Sequence, residues 1–313
     1  MDGYLGASER LSLEAPRRIV PRRLTRFLYA HPRGRLGLLL GPAVLWLLIF
    51  YLVALFLLLL TSLWQQDVFT AELVHKWTFS NYTKVFSGQD GLWLRVFGRT
   101  ILLASIVTLI DIALAIPLAW FMARVAPPRW RTLLFLAVVV PLWSSILVRI
   151  FAWRTILGGQ GVLNNFLVDV GILNHPSATF LYNEKAIALT WAYVWLPFMV
   201  LPIFTALEKI PDSFIEASRD LGASPWTTFK RVVFPLAVPG VVAGSIFVFS
   251  LTMGDFVAPQ LVGGGSQVLG GAIKDRFGVA ADYPFGAALA MLTLLTLTVF
   301  LTITRRSGAM ENL

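Results

Sequence analysis

Few side chains inside the apolar stretches of this sequence are able to do chemistry. Asp111 interrupts the otherwise uncharged run Thr100–Met122, and Asp255 follows directly on the uncharged run Val232–Gly254, in MGDFVAP. Trp191 and Trp195 stand four residues apart in a third run, which places them on one face of a helix. Ionisable groups within a membrane span are costly and by default mark functional positions. A carboxylate pair with aromatic neighbours suits a cationic amine, through charge pairing and cation–π contact. Plainer readings stand beside this one, because Trp is enriched at bilayer interfaces and a lone Asp can hydrogen-bond between helices.

Other chemistry has little footing. No G-x-x-x-x-G-K-S/T loop is present to cradle nucleotide phosphates. The nearest approach, VGGGSQVLGGAIK, lacks the spacing and has no Ser or Thr after Lys274. The three histidines, His31, His75 and His175, lie scattered in loop segments without metal-ligand spacing, and with no cysteine in the chain there is no Cys-ligated metal or disulfide. No Ser/His/Asp or paired-carboxylate arrangement stands out. The expectation is a chain that is not an enzyme and carries no cofactor or metal of its own.

The elements that position these residues follow from composition. Hydrophobic residues make up 57% of the 313, charged residues 14%, and the mean hydropathy is +0.73; an ordinary soluble domain is roughly a quarter charged. The apolar residues gather into six runs, Gly37–Leu63, Thr100–Met122, Thr132–Val148, Ala186–Leu207, Val232–Gly254 and Tyr283–Thr304. Each is near the about 20 residues that cross a bilayer as a helix, the form that satisfies its own backbone hydrogen bonds in lipid. The fold class is therefore all-α, polytopic, with six transmembrane helices. If the N-terminus is cytoplasmic, the inner segments hold 17 of the 26 Lys and Arg, which sets both termini inside. The net charge of +9 then reflects topology, and the Arg-rich APRRIVPRRLTRF reads as an inner-leaflet anchor more readily than as a nucleic-acid site. Residues 1–36 do not resemble a cleaved signal peptide, because the run that follows is far longer than an h-region of about 7 to 15 residues.

One inner connection is unusually elaborate. PDSFIEASRDLGASPWTTFKRVVFP, Pro211 to Pro235, describes two short helices meeting at an elbow. Ser213 and Glu216 have capping-box spacing, Gly222 sits where a left-handed helix stop is wanted, and Ser224-Pro225 offers a new N-cap with Pro at the first helical position. Phe214, Ala217 and Leu221 share one face. A helix of about two turns is marginal alone in water, so the loop either packs on its own membrane domain or docks in the groove of a partner.

The same loop carries a family pattern: Glu216-Ala217-Ser218, three residues, Gly222, nine residues, Val232, one residue, Phe234-Pro235. This resembles the EAA signature of ATP-binding-cassette importer permeases, with Ser218, Val232 and Phe234 as small departures. The blocks LVRIFAWRTILGGQGVLNNFL, GDFVAPQLVGGG and DYPFGAALA are similar to the spermidine/putrescine permease group. The likeness covers about residues 99–306 of a six-span domain at 37–306, and it leaves out the basic segment 1–36 and the tail 307–313. It implies the type I importer, MetI-like, permease fold and a coupling loop at 208–235 that docks on a separate cytoplasmic ATPase. Glu216, Ala217, Ser218, Asp220, Gly222, Ala223 and Pro235 would be the coupling residues, and Asp111, Trp191, Trp195 and Asp255 candidates for the translocation path. Implied partners are two ABC ATPases carrying ATP and Mg, a second related permease, an extracytoplasmic solute-binding protein and the bilayer of a bacterial inner membrane, with no nucleic acid. The solute implied is a polyamine, with ferric iron, phosphonates, opines or amino-acid derivatives as alternatives. A secondary transporter driven by an ion gradient is the remote rival, since no inverted repeat is visible.

Overall fold

The computed structural model describes residues 32–304 apart from 68, 69, 71, 89 and 90. Most of the basic segment 1–36 and all of the tail 307–313 lie outside the described residues. Two units divide the chain, one ending at Leu57 and the other beginning at Leu58. The first contains most of helix α1 (Pro32–Ser62), whose side chains from Leu40 to Leu57 are exposed or half-exposed on every face. An all-round apolar helix of this kind suits a lipid surround.

The second unit begins with a two-residue ladder, β1 (Gln65–Gln66) antiparallel to β2 (Leu73–Val74), and the short helix α2 (Ser80–Ser87). Helix α3 (Leu92–Trp120) continues through a π-helical turn at Phe121–Val125. After it come α4 (Pro128–Trp143), α5 (Ile146–Leu157), α6 (Val162–Asp169) and α7 (Glu184–Glu208). The elbow consists of α8 (Asp212–Asp220) and α9 (Pro225–Thr228), and a second π-helical turn at Phe229–Val233 leads into α10 (Phe234–Gly254). Two short helices, α11 (Val257–Val262) and α12 (Leu269–Phe277), precede α13 (Tyr283–Thr304). Among the described residues, six stretches are long and apolar enough to cross a membrane: Leu40–Ser62, Leu92–Val125, Ile146–Asp169, Glu184–Glu208, Pro225–Gly254 and Tyr283–Thr304.

The core is built on α7, whose Ile187, Trp191, Met199, Val200 and Ile203 have no exposed surface. Helix α3 runs parallel to it. Arg99 near the start of α3 pairs with Glu184 at 3.2 Å, and Arg124 beyond its end donates to the Leu207 carbonyl at 2.5 Å. Helix α10 runs antiparallel, with Gly240 against Pro202 and Ile203 and Gly244 against Met199. A Cβ at Gly240 would stand 2.6 Å from the Pro202 carbonyl oxygen, so only glycine lets the two backbones approach this closely. Small residues at the crossing are how membrane helices gain packing where lipid supplies no hydrophobic drive. On the other side of α10, Phe249 and Met253 join Trp93, Phe285 and Leu289 in a second cluster that seats α13.

The run expected to cross at Thr132–Val148 is not one continuous helix, and the third membrane-length stretch begins only at Ile146. The helix breaks at Ser144 and Ser145, both extended, because Pro141 weakens the last turn and the Ser144 hydroxyl closes it by donating to the Pro141 carbonyl at 2.7 Å. The two halves together follow α7 along its length. Arg131 of α4 pairs with Glu208, Arg149 of α5 donates to the Val194 carbonyl at 3.2 Å, and Arg154 donates to the Tyr182 hydroxyl at 3.4 Å. Arg149 therefore lies beside the middle of α7. Asp111 is not alone as an ionisable group at that depth.

Gly240→Val tests the close crossing. The added side chain must push α7 and α10 apart, and overpacking of this kind costs about 1 to 3 kcal/mol. The melting temperature in detergent should fall clearly, whereas Gly254→Ala, with nothing within 4 Å of the new Cβ, should leave it unchanged.

Candidate functional site

The elbow at 208–235 forms by local rules, with one departure. The expected capping box of Ser213 and Glu216 is absent, because α8 starts two residues earlier than a Ser213 cap requires, at Asp212, with Pro211 in the cap position and no side-chain cap. Proline fixes the entry angle, and the Asp212 carboxylate in the first turn pairs with Arg124 at 2.6 Å instead of leaving the start to Ser213. The other end matches the spacing. Gly222 has φ +80°, its amide donates to the Arg219 carbonyl at 2.8 Å, and the Ala223 amide reaches the Ser218 carbonyl at 3.1 Å, which is a Schellman stop. Ser224 caps α9 by accepting from the Thr227 amide at 3.3 Å, with Pro225 at the first helical position.

The coupling candidates separate into two faces. Ser218 turns inward, its hydroxyl 3.0 Å from that of Thr228, so it staples α8 to α9, while Ile215 packs on the core. Glu216, Ala217 and Asp220 lie exposed beside Phe214 (52%) and Leu221 (89%). Glu216 has no hydrogen-bond or ion-pair partner among the described residues. Ala223 is half-buried and Pro235 is exposed at the start of α10. An apolar face rimmed by an unpaired acid can receive a partner's groove.

Arg124 is the residue that sequence reasoning passed over. Its guanidinium, mostly buried, bonds Asp212 and the carbonyls of Leu207 and Ile210, and so ties the end of α3 to the end of α7 and the start of α8. The only sequence signal for it is a basic residue directly after a span, which charge counting reads as topology alone.

At the other end of the spans the structure joins two of the four path candidates. The Asp255 carboxylate accepts from the Trp191 indole at 2.6 Å and from the amides of Val257 and Ala258 at 3.0 and 3.1 Å. It caps α11 and clasps α10 to α7. Asp111 and Trp195 lie deeper. Asp111 is fully buried with neither carboxylate oxygen bonded, and the Trp195 indole nitrogen is also buried without a partner. Counting inward from the Arg99–Glu184 pair places both at the same depth on the parallel helices α3 and α7. Buried polar groups are nearly always satisfied, so these two are exceptions within the bundle. No cluster of three metal-ligating side chains occurs among the described residues.

With this geometry, comparison with known proteins is informative. Residues 91–307 match the family described as binding-protein-dependent transport system inner membrane component. The chain belongs to this family. It is a multi-pass inner-membrane permease component. Relatives include the inner membrane ABC transporter permease protein YdcU of Escherichia coli K12, 35% identical over 96% of this chain and 98% of that protein. Another is the spermidine/putrescine permease PotB of Haemophilus influenzae, 36% identical over 85% of this chain and 92% of that one. The fold is shared with a chain of a bacterial alginate ABC transporter crystallised with an alginate-bound periplasmic protein, TM-score 0.69 at 17% identity over 90% and 96% of the two chains. A chain of the MetNI methionine ABC transporter in an inward-facing form gives 0.52 at 15% identity over 69% and 94%. The fold is thus the MetI-like importer-permease fold that the EAA pattern implies.

Asp255→Ala should destabilise the permease whether or not solute is present, because it leaves the buried Trp191 indole and two amides unpaired at about 1 to 3 kcal/mol for an orphaned group. Thermal unfolding of Asp255→Ala, Trp191→Phe and the double variant checks this. The double variant should cost clearly less than the two single changes added together.

Proposed function

We propose that this chain is a permease subunit of an ATP-driven importer for polyamines, with α8 as the helix that couples it to the ATPase. The observation that carries the coupling role is the outward face of α8, with Phe214, Ala217 and Leu221 bare and Glu216 unpaired at its rim. Two cytoplasmic ABC ATPases, holding ATP and Mg, would seat one such helix each. A second related permease and an extracytoplasmic binding protein would complete the importer, with both termini of this chain cytoplasmic. Arg124 makes α8 continuous with the ends of α3 and α7, so motion of the loop reaches the core of the bundle. ATP drives the switch because it binds the two states unequally.

Polyamines are favoured as solute by the relatives named for spermidine and putrescine, which align over most of both chains. Asp111 and Trp195 are the proposed solute contacts, exposed to the path as the helices part. Asp255 and Trp191, already bonded to each other, hold the outer end of α10 and α11 around that path. A second reading has one observation in its favour. Arg149 places a guanidinium at mid-depth beside a small cavity of about 130 Å³, with its Nε buried and unpaired. A cation there suits an anionic solute such as a phosphonate or an opine.

Uptake into proteoliposomes containing the assembled transporter, with binding protein in excess, separates these readings. Putrescine or spermidine should be carried, and Asp111→Asn should lower that uptake roughly ten- to a hundredfold, the worth of a lost charge-assisted contact, while basal ATPase activity stays. Uptake of phosphonate or opine alone, abolished by Arg149→Gln, would replace the polyamine reading. For the coupling role, Gly222→Val forces a β-branched residue into positive φ, a genuine conformational outlier. The protein should still insert but lose ATP-coupled uptake. Glu216→Gln should weaken assembly with the ATPase, and parental ATPase activity in that complex would remove the carboxylate from the contact.

A further inference from the structure

An apolar hollow lies beside the coupling loop, and of the bare face of α8 only Phe214 reaches it. A cavity of about 530 Å³ opens between α7, α8 and α10, floored by Pro202, Ala206 and Gly240 and walled by Phe214, Pro239 and Ala243. Its volume is in the range of small-ligand sites, about 300 to 1,000 Å³. Lys209 lines it as well, directly after the last residue of α7, at the depth where a span meets the headgroups. Of the three charged side chains in residues 208–212, Glu208 is paired with Arg131 and Asp212 with Arg124. Lys209 alone has no ion-pair partner among the described residues.

We propose that this hollow is a binding site for an anionic phospholipid, one acyl chain lying in the cavity and the headgroup phosphate meeting the Lys209 ammonium. An apolar recess on a membrane-embedded surface is filled by whatever apolar matter surrounds it, and in a bilayer that is lipid chain. Because bulk lipid is as apolar as the cavity wall, the chain supplies occupancy but no selectivity. Selection comes from the unpaired Lys209, since a basic side chain near the surface favours anionic lipid. The site has a consequence for the loop. Phe214 belongs to α8, while Pro239 and Ala243 belong to α10, so the bound chain braces the coupling helix against the fifth span. The inference needs only that α7 and α10 cross the bilayer, and it is independent of the solute carried.

The test uses the full-length chain purified with its partner subunits, delipidated in detergent and titrated separately with dioleoyl phosphatidylglycerol and dioleoyl phosphatidylcholine. Retained lipid is counted by native mass spectrometry and the melting temperature is followed. The parent should hold one phosphatidylglycerol about fivefold more tightly than phosphatidylcholine, the worth of one lysine near a charged surface, and should melt higher with it. Lys209→Gln should bind both lipids equally, and Lys209→Arg should keep the preference. Ala243→Phe, which fills the cavity, should lose both lipids. If Ala243→Phe does not fold, the Gln and Arg variants decide alone. An undiminished preference in Lys209→Gln, or no retained lipid in the parent, overturns the proposal. So does efficient cross-linking of an Ala243→Cys variant to another permease chain, which would show the cavity filled by protein.

Discussion

The close antiparallel crossing of α7 and α10 is the constraint on which the remainder depends. In lipid there is no hydrophobic gain from bringing two helices together, so contact must come from dispersion at short range and from hydrogen bonds between them. Gly240 removes the side chain that would hold the backbones apart, and Gly244 meets Met199 one turn further along. Once α10 is seated, its C-terminal end arrives beside Trp191, and the Asp255 clasp can close. Its other face is then presented to Trp93, Phe285 and Leu289, which fixes α13.

Polar groups within this bundle are dealt with in three ways. Most hydroxyls bond the carbonyl one turn back on their own helix, as Thr108, Ser245, Thr252 and Thr293 do, and Thr100 does so while also accepting from the Leu269 amide at 3.0 Å, which ties α3 to the start of α12. A few are spent on joints between elements: Arg124 at the loop end, Asp255 at the other, Asn81 bridging the carbonyls of Ser62 and Trp64. The third group, Asp111, Thr190 and the Trp195 indole, is buried and left unpaired.

The joint at Arg124 also bears on how α8 is held. A two-turn helix cannot hold its own shape in water. Here α8 is held by the Schellman stop at Gly222, the Ser218–Thr228 contact and the Arg124 ties. The exposed face of Phe214, Ala217 and Leu221 is thereby presented on a support continuous with two spans. The break at Ser144–Ser145 gives the third crossing a joint of its own beside the middle of α7.

What the sequence alone determined is what local rules and periodic apolarity encode. Run length set six crossings, the offsets from Glu216 to Pro235 identified the family, and the Gly222 stop and Ser224 cap followed from single residues with few backbone options. Local rules were insufficient where two equally local outcomes compete. Ser213 and Pro211 could each have begun α8, and the contact of Asp212 with Arg124, 88 residues earlier, is part of what distinguishes them. Pro141 could have kinked its helix or ended it. Asp255 and Asp111 look alike as carboxylates near uncharged runs, and only the folded bundle shows that one is filled by three donors and the other by none. The reason is physical: a side chain's hydrogen-bond partner across a helix interface depends on helix rotation and depth, and those are set by how α3, α7 and α10 pack around the crossing at Gly240, which no local sequence rule encodes.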